Sequence, residues 1–176
     1  MSQPVLVIAT PRSGTNNCAN YYRSKGLKVT HESVAPDADM AVDYHQLQNL
    51  SEFPVAIYLT REPVTNVKSL SGLLERRGQY RRTLELFPEL PIGLSPLELA
   101  YHYWLRVHQS CTHLPALRAE SLPIVGEQVI NADHREGPEG LSGHQLQVLR
   151  RAAERLGYGW QWSVEHNNAV GSSSSP

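Results

Sequence analysis

Val5-Leu-Val-Ile-Ala-Thr-Pro-Arg-Ser-Gly-Thr15 joins an apolar run to a short polar turn that carries one cation and one glycine. Five consecutive apolar residues read as a strand buried on both faces, and helical spacing begins after Gly14. The predicted local structure is strand, tight loop, helix. Such a loop turns several backbone N–H groups and the positive end of a helix dipole toward one point, which suits a phosphate.

Beyond this unit, Cys18, Ala19 and Tyr22 form one face of a short helix that Gly26 stops, and 27–31 alternate like a second strand. Residues 33–37 are a loop, and 38–49 suggest a short helix on the loose periodicity of Met40, Val42 and Leu47. Val55-Ala-Ile-Tyr-Leu59 is a third buried strand ending in the turn Thr60-Arg-Glu-Pro63. Pro63 opens a helix carried on by Val64, Val67, Leu70 and Leu74. The arginine-rich run 75–82 is a solvated helix face. Ser95-Pro-Leu-Glu98 is a capping box, and Ala100, Tyr103, Trp104, Val107, Cys111 and Leu114 supply the stripe of the helix it starts. Leu122 to Ile130 is a fourth strand weakened by Pro123 and Gly126. Ser142-Gly-His-Gln145 caps a last helix that Gly157 ends.

Strands alternating with helices predict an α/β three-layer sandwich around a parallel sheet of about four to five strands, of the P-loop nucleotide-binding type. The 176 residues divide into one domain, 1–165, and a polar tail, 166–176, ending Gly171-Ser-Ser-Ser-Ser-Pro176. An apolar share of 40%, a charged share of 19% and a net charge of −1 are ordinary for a globular domain and give no basic field for nucleic acid. Cys18 and Cys111 form no CxxC pair, which speaks against a disulfide scaffold or cysteine zinc site. With no leader-like N-terminus and no apolar run of about 18 residues, the expectation is a cytoplasmic protein without a membrane span.

Ligands in parallel sheets collect at the carboxyl ends of the strands, and three such ends carry chemistry: 11–15, 30–32 and 60–63. A Walker A loop needs lysine and then a hydroxyl residue directly after its second glycine. Here Thr15 follows Gly14, the cation Arg12 precedes it, and the third strand lacks an acid for magnesium. A metal-dependent kinase is disfavoured, and a metal-free phosphate loop remains.

Pro11-Arg-Ser-Gly-Thr15 after a buried strand resembles the 5′-phosphosulfate loop of the sulfotransferases that use 3′-phosphoadenosine-5′-phosphosulfate. Arg61 and Ser69, eight residues apart after the next apolar strand, resemble that family's 3′-phosphate site. Weaker likenesses are Tyr101-His-Tyr-Trp104, Leu156-Gly-Tyr158 and Glu127, a glutamate the family keeps in a structural role. The resemblance implies that Arg12, Ser13, Gly14, Thr15, Asn16 and Asn17 hold the 5′ end of the donor. Arg61 and Ser69 hold its extra phosphate, and 3′-phosphoadenosine-5′-phosphate leaves as product. Arg12 then also neutralises charge on the leaving phosphate.

An acceptor hydroxyl or amine, on a small molecule, glycan or lipid, must also lose a proton. The resemblance points to Glu32 as general base, with His31 as runner-up because its ordinary pKa suits neutral pH. A blander alternative leaves His31 a satisfied histidine and Glu32 a loop charge, and Arg61 a helix-entry partner of Glu62 or Glu98. Asp43 and His45 flank the acceptor side without a spacing that requires a role, and His102, His108 and His113 read as surface or packing residues. Trp104, Trp160 and Trp162 read as core or tail-docking groups.

Two departures from the family pattern stand out. Asn16 and Asn17 follow the loop threonine where many members have a second threonine, and the basic C-terminal loop of cytosolic eukaryotic members is missing. Nucleotide binding is then looser, or completed by Arg76, Arg77, Arg81 or Arg82, or by a partner subunit. The alternatives to transfer are a catalytically inactive nucleotide-binding module and a small-molecule or nucleotide kinase.

Overall fold

The computed structural model describes residues 4–76, 79–125 and 137–162, without the side chains of Arg82 and Leu86. Five strands, β1 (Val5–Ile8), β2 (Val29–His31), β3 (Met40–Val42), β4 (Ala56–Thr60) and β5 (Ala116–Arg118), form one sheet in the order β2-β3-β1-β4-β5. Every pairing is parallel, with Val7 opposite both Val42 and Ile57. The helices are α1 (Thr15–Ser24), α2 (Pro63–Leu74), α3 (Gln79–Leu86), α4 (Pro96–Cys111) and α5 (Gly143–Arg155). Short 3-10 segments cover His45–Glu52 and Ala119–Ser121.

The apolar run of β1 is continuous because both faces of the sheet are covered. Leu6 and Ile8 join a core with Val64, Val67 and Leu70 of α2, Trp104 of α4 and Leu149 of α5. Val7 and Ala9 face the other way, onto Cys18 and Ala19 of α1. Both predicted capping boxes form, at Ser95 with Glu98 and at Ser142 with Gln145, and Gly26 and Gly157 turn left-handed where α1 and α5 stop. Among the described residues, no helix is long and apolar enough to cross a membrane.

Three expectations are corrected. Residues 40–42 form β3 between β2 and β1, not part of a short helix over 38–49; the helical turns begin only at His45. Three apolar residues cannot sustain a helical period, and two neighbouring ladders claim their backbone groups. Of the fourth strand expected over Leu122–Ile130, 122–125 are not strand and 126–130, with Glu127, fall outside the described residues; the strand that follows β4 in the chain is β5, at 116–118. α4 stops at Cys111, so Leu114 lies beyond the helix and Pro115 leads into β5, whose outer residues are exposed. Arg77 and the tail 166–176 also lie outside the described residues.

His108 is buried, with its ring stacked on Trp104 at 4.9 Å and Nδ1 unpartnered. Burial, with Arg155 as a second cause, pushes its pKa below the ordinary histidine value. The unfolded chain therefore binds this proton more readily, and stability falls as pH drops below about 6.5. Thermal melts are expected to show Tm falling from about pH 7 to about pH 5, and falling less in His108→Phe, which keeps the stack.

Candidate functional site

β1 and β4 are neighbours and run parallel, so the polar segments that follow them meet at one edge of the sheet. Thr10 and Ser13 are both buried; their hydroxyls lie 2.7 Å apart, and the Ser13 N–H donates to the Thr10 carbonyl at 3.3 Å. This closes a tight turn in which Arg12 adopts φ 69° and Gly14 φ 85°, the first costly for a side-chain-bearing residue. A Cβ on Gly14 would also sit 3.2 Å from the Ala119 Cβ, so the loop needs glycine for conformation and for space. α1 starts directly after it with no side-chain cap. Its first N–H groups, on Thr15, Asn16 and Asn17, have no backbone partner among the described residues. Those donors and the helix dipole converge on the loop.

Arg61 follows β4 and Ser69 sits two turns into α2. The Arg61 Nη1 donates to the Arg12 carbonyl at 3.0 Å, and the Arg12 Nε donates to the Ser69 hydroxyl at 3.1 Å. The two motifs therefore form one bonded cluster holding two guanidinium groups. Glu62 and Glu98, the alternative partners for Arg61, are committed elsewhere. Glu62 caps α2 through the N–H groups of Val64 and Thr65, and Glu98 closes the box with Ser95. The edge is braced by Tyr158, whose hydroxyl donates to Glu120 at 2.9 Å and lies 3.1 Å from the Thr60 hydroxyl. Burial pushes that phenol above its usual range, which keeps it a donor.

The structure redistributes the remaining predicted residues. Asn16 is exposed beside the loop. The buried Asn17 spends its carboxamide on the Pro123 carbonyl at 3.2 Å and the Val125 N–H at 3.1 Å, leaving only its backbone N–H to the loop. His31 and Glu32 lie at the end of β2, one strand farther from the loop than adjacent strands would place them, because β3 intervenes. Glu32 is exposed at φ 56°, with its N–H on the Val42 carbonyl. His31 has a buried, unpartnered Nε2, and desolvation outweighs Glu32 to lower its pKa.

The end of β3 brings in residues that spacing alone did not place. Asp43 is 1% exposed and accepts from the His45 backbone N–H at 2.8 Å, the His45 Nδ1 at 2.9 Å and the Gln46 amide at 3.3 Å. A carboxylate only accepts, so the His45 Nδ1 carries the proton in this bond and the ring's orientation is set by Asp43. His45 and Tyr44 line a cavity of about 20 Å³ with Pro11, Leu70 and Tyr103. A larger cleft, about 800 Å³, lies between α4 and the start of α5 beside His102 and His144, and none of the loop residues line it. Asn66 of α2 is fully buried against the loop, bonded to Thr10 and to Pro11.

The phosphate-suited loop, a second cationic anchor bonded to it, and a carboxylate-oriented histidine just past the end of β3 make up the candidate site. No family model matches the chain, and no curated protein matches it.

Proposed function

We propose that this chain is a P-loop sulfotransferase. It moves a sulfuryl group from 3′-phosphoadenosine-5′-phosphosulfate to an acceptor hydroxyl or amine, without a metal, in the cytoplasm. One observation carries the reading: Arg12 is bonded through its side chain to Ser69 and through its carbonyl to Arg61, which joins the two elements that we read as anion sites. A nucleotide with phosphates at both its 5′ and 3′ positions matches two such elements held side by side. The donor supplies an activated sulfuryl group whose transfer leaves negative charge on the 5′-phosphate. The Arg12 side chain and the N–H groups at the start of α1 neutralise that charge. Arg61 presents a planar fork to the 3′-phosphate and Ser69 a hydroxyl donor.

His45 is the residue we assign to the acceptor's proton. Asp43 accepts from the ring's Nδ1 and so orients it, and the ring borders the same small cavity as Pro11 of the loop. Glu32 remains the second reading, favoured by its left-handed φ of 56°, since such strain collects at functional positions.

The test is incubation with sulfur-labelled donor and a panel of hydroxyl- and amine-bearing acceptors, including glycans and lipids, without added magnesium. The expected result is label on one acceptor class with an equal amount of 3′,5′-adenosine bisphosphate released. Phosphate transfer from ATP instead would establish a kinase. Tight bisphosphate binding with no transfer would establish an inactive nucleotide-binding module.

A further inference from the structure

Asn66 sits inside α2 among Val64, Val67 and Leu70, where an apolar residue would satisfy the core without any polar requirement. It is 0% exposed, and its carboxamide is used entirely on the loop. Its Nδ2 donates to the Pro11 carbonyl at 3.3 Å, and its Oδ1 accepts from the Thr10 hydroxyl at 2.5 Å. The orientation is fixed by chemistry: the Pro11 carbonyl only accepts, so the amide nitrogen must face it and the oxygen must face Thr10. Thr10 has a single hydroxyl proton and gives it to Asn66. The Ser13 hydroxyl must therefore donate to Thr10 across their 2.7 Å contact. The Ser13 proton is thereby committed inside the turn, leaving Ser13 without a side-chain donor for a phosphate.

The bond to Pro11 has a further consequence. A trans peptide points its C=O and the following N–H in opposite directions, and the chain contains no cis peptide among the described residues. Gripping the Pro11 carbonyl from α2 therefore aims the Arg12 N–H away from α2, and Arg12 itself is held at φ 69°. That N–H has no partner among the described residues. A peptide rotated the other way would present the Pro11 carbonyl, an acceptor, to an anion and repel it.

We propose that Asn66 is a positioning residue of the 5′ anion site: it locks the Pro11–Arg12 peptide so that the Arg12 backbone N–H donates to the bound phosphate. The proposal rests on the donor-binding reading above for the identity of the ligand, although the peptide geometry does not depend on it.

Nitrogen-edited amide spectra of the full chain, titrated separately with 3′,5′-adenosine bisphosphate and with inorganic phosphate, test it. In the unaltered protein the Arg12 amide is expected to move downfield on saturation. In Asn66→Asp, which keeps the acceptor for Thr10 and removes the donor to Pro11, that shift should vanish. Affinity for 5′-AMP should fall about 10- to 100-fold while affinity for 3′-AMP stays within about threefold. A merely structural role would weaken both monophosphates alike, and that result overturns the proposal. So does an Arg12 amide that stays still in the unaltered protein while either anion binds, a readout that needs no variant to fold, or one that stays still because neither anion binds. If the bisphosphate does not bind but inorganic phosphate moves Arg12 and Asn66→Asp abolishes the movement, the donor reading fails and the role of Asn66 stands.

Discussion

Arg61→Ala is expected to weaken binding of 3′,5′-adenosine bisphosphate about 30- to 150-fold while leaving 5′-AMP nearly unaffected. Hydrogen bonds to a charged group contribute about 1.5–3 kcal/mol, and the upper part of that range, about 2–3 kcal/mol, applies to a bidentate guanidinium grip on phosphate. Arg61 is half-buried where β4 ends, on an edge braced by Tyr158 and Glu120, so its fork is presented from a rigid base. Its bond to the Arg12 carbonyl is one of several that hold the loop, and the Thr10–Ser13 and Asn66 bonds remain without it, so a nucleotide carrying only a 5′-phosphate loses little. Arg61→Lys should recover part of the affinity, since the charge returns without the planar fork. Calorimetric titration of the three proteins checks this. An equal loss for both nucleotides would assign Arg61 to the loop's integrity.

His45→Ala is expected to lower the turnover of sulfuryl transfer about 10²- to 10⁴-fold, the usual worth of a positioned general base, with bisphosphate affinity unchanged. The loss should appear in kcat with little change in the KM for donor, because His45 lines a cavity with Pro11 and is not part of the bonded Arg12, Arg61 and Ser69 cluster. Asp43→Asn should lower kcat as well, because an amide no longer stabilises the imidazolium that forms as the proton arrives. Glu32→Gln should keep most of the activity, its carboxylate being one strand farther from the loop. Single-turnover measurements with whichever acceptor takes the label decide the matter. If Glu32→Gln is the inactive variant and His45→Ala turns over normally, the base is Glu32.

Much of this edge was legible in the chain because its signals are local. Buried runs such as Val5–Ala9, the capping boxes at Ser95 and Ser142, and Pro63 at a helix start each state their structure within a few residues. Arg61 and Ser69 were legible for the same reason, one residue past a strand and two turns into a helix. β3 and β5 were not: each is three residues like β2, but Met40-Ala-Val42 and Ala116-Leu-Arg118 do not alternate apolar with polar residues as 27–31 does. β3 exists because the ladders of β1 and β2 take up its backbone groups, and β5 because Tyr58, Leu59 and Thr60 of β4 pair with it. Missing β3 also left Asp43 and His45 as flanking residues with no role required by their spacing; their pairing, just past the strand beside β1, supplies what the spacing lacked. Asn66 was hidden differently. Within α2 it interrupts an apolar stripe, and its partners Thr10 and Pro11 are more than 50 residues away.

That two phosphates of one nucleotide bind side by side at the ends of β1 and β4 is testable by thermal shift on the full chain. Equal concentrations of 3′,5′-adenosine bisphosphate and 5′-AMP, without magnesium, are compared with Mg-ATP. A ligand bound only by the folded state raises Tm according to its affinity. The bisphosphate is predicted to raise Tm well beyond 5′-AMP, with no requirement for magnesium. Equal shifts for the two adenosine nucleotides, or a shift seen only with Mg-ATP, would contradict it.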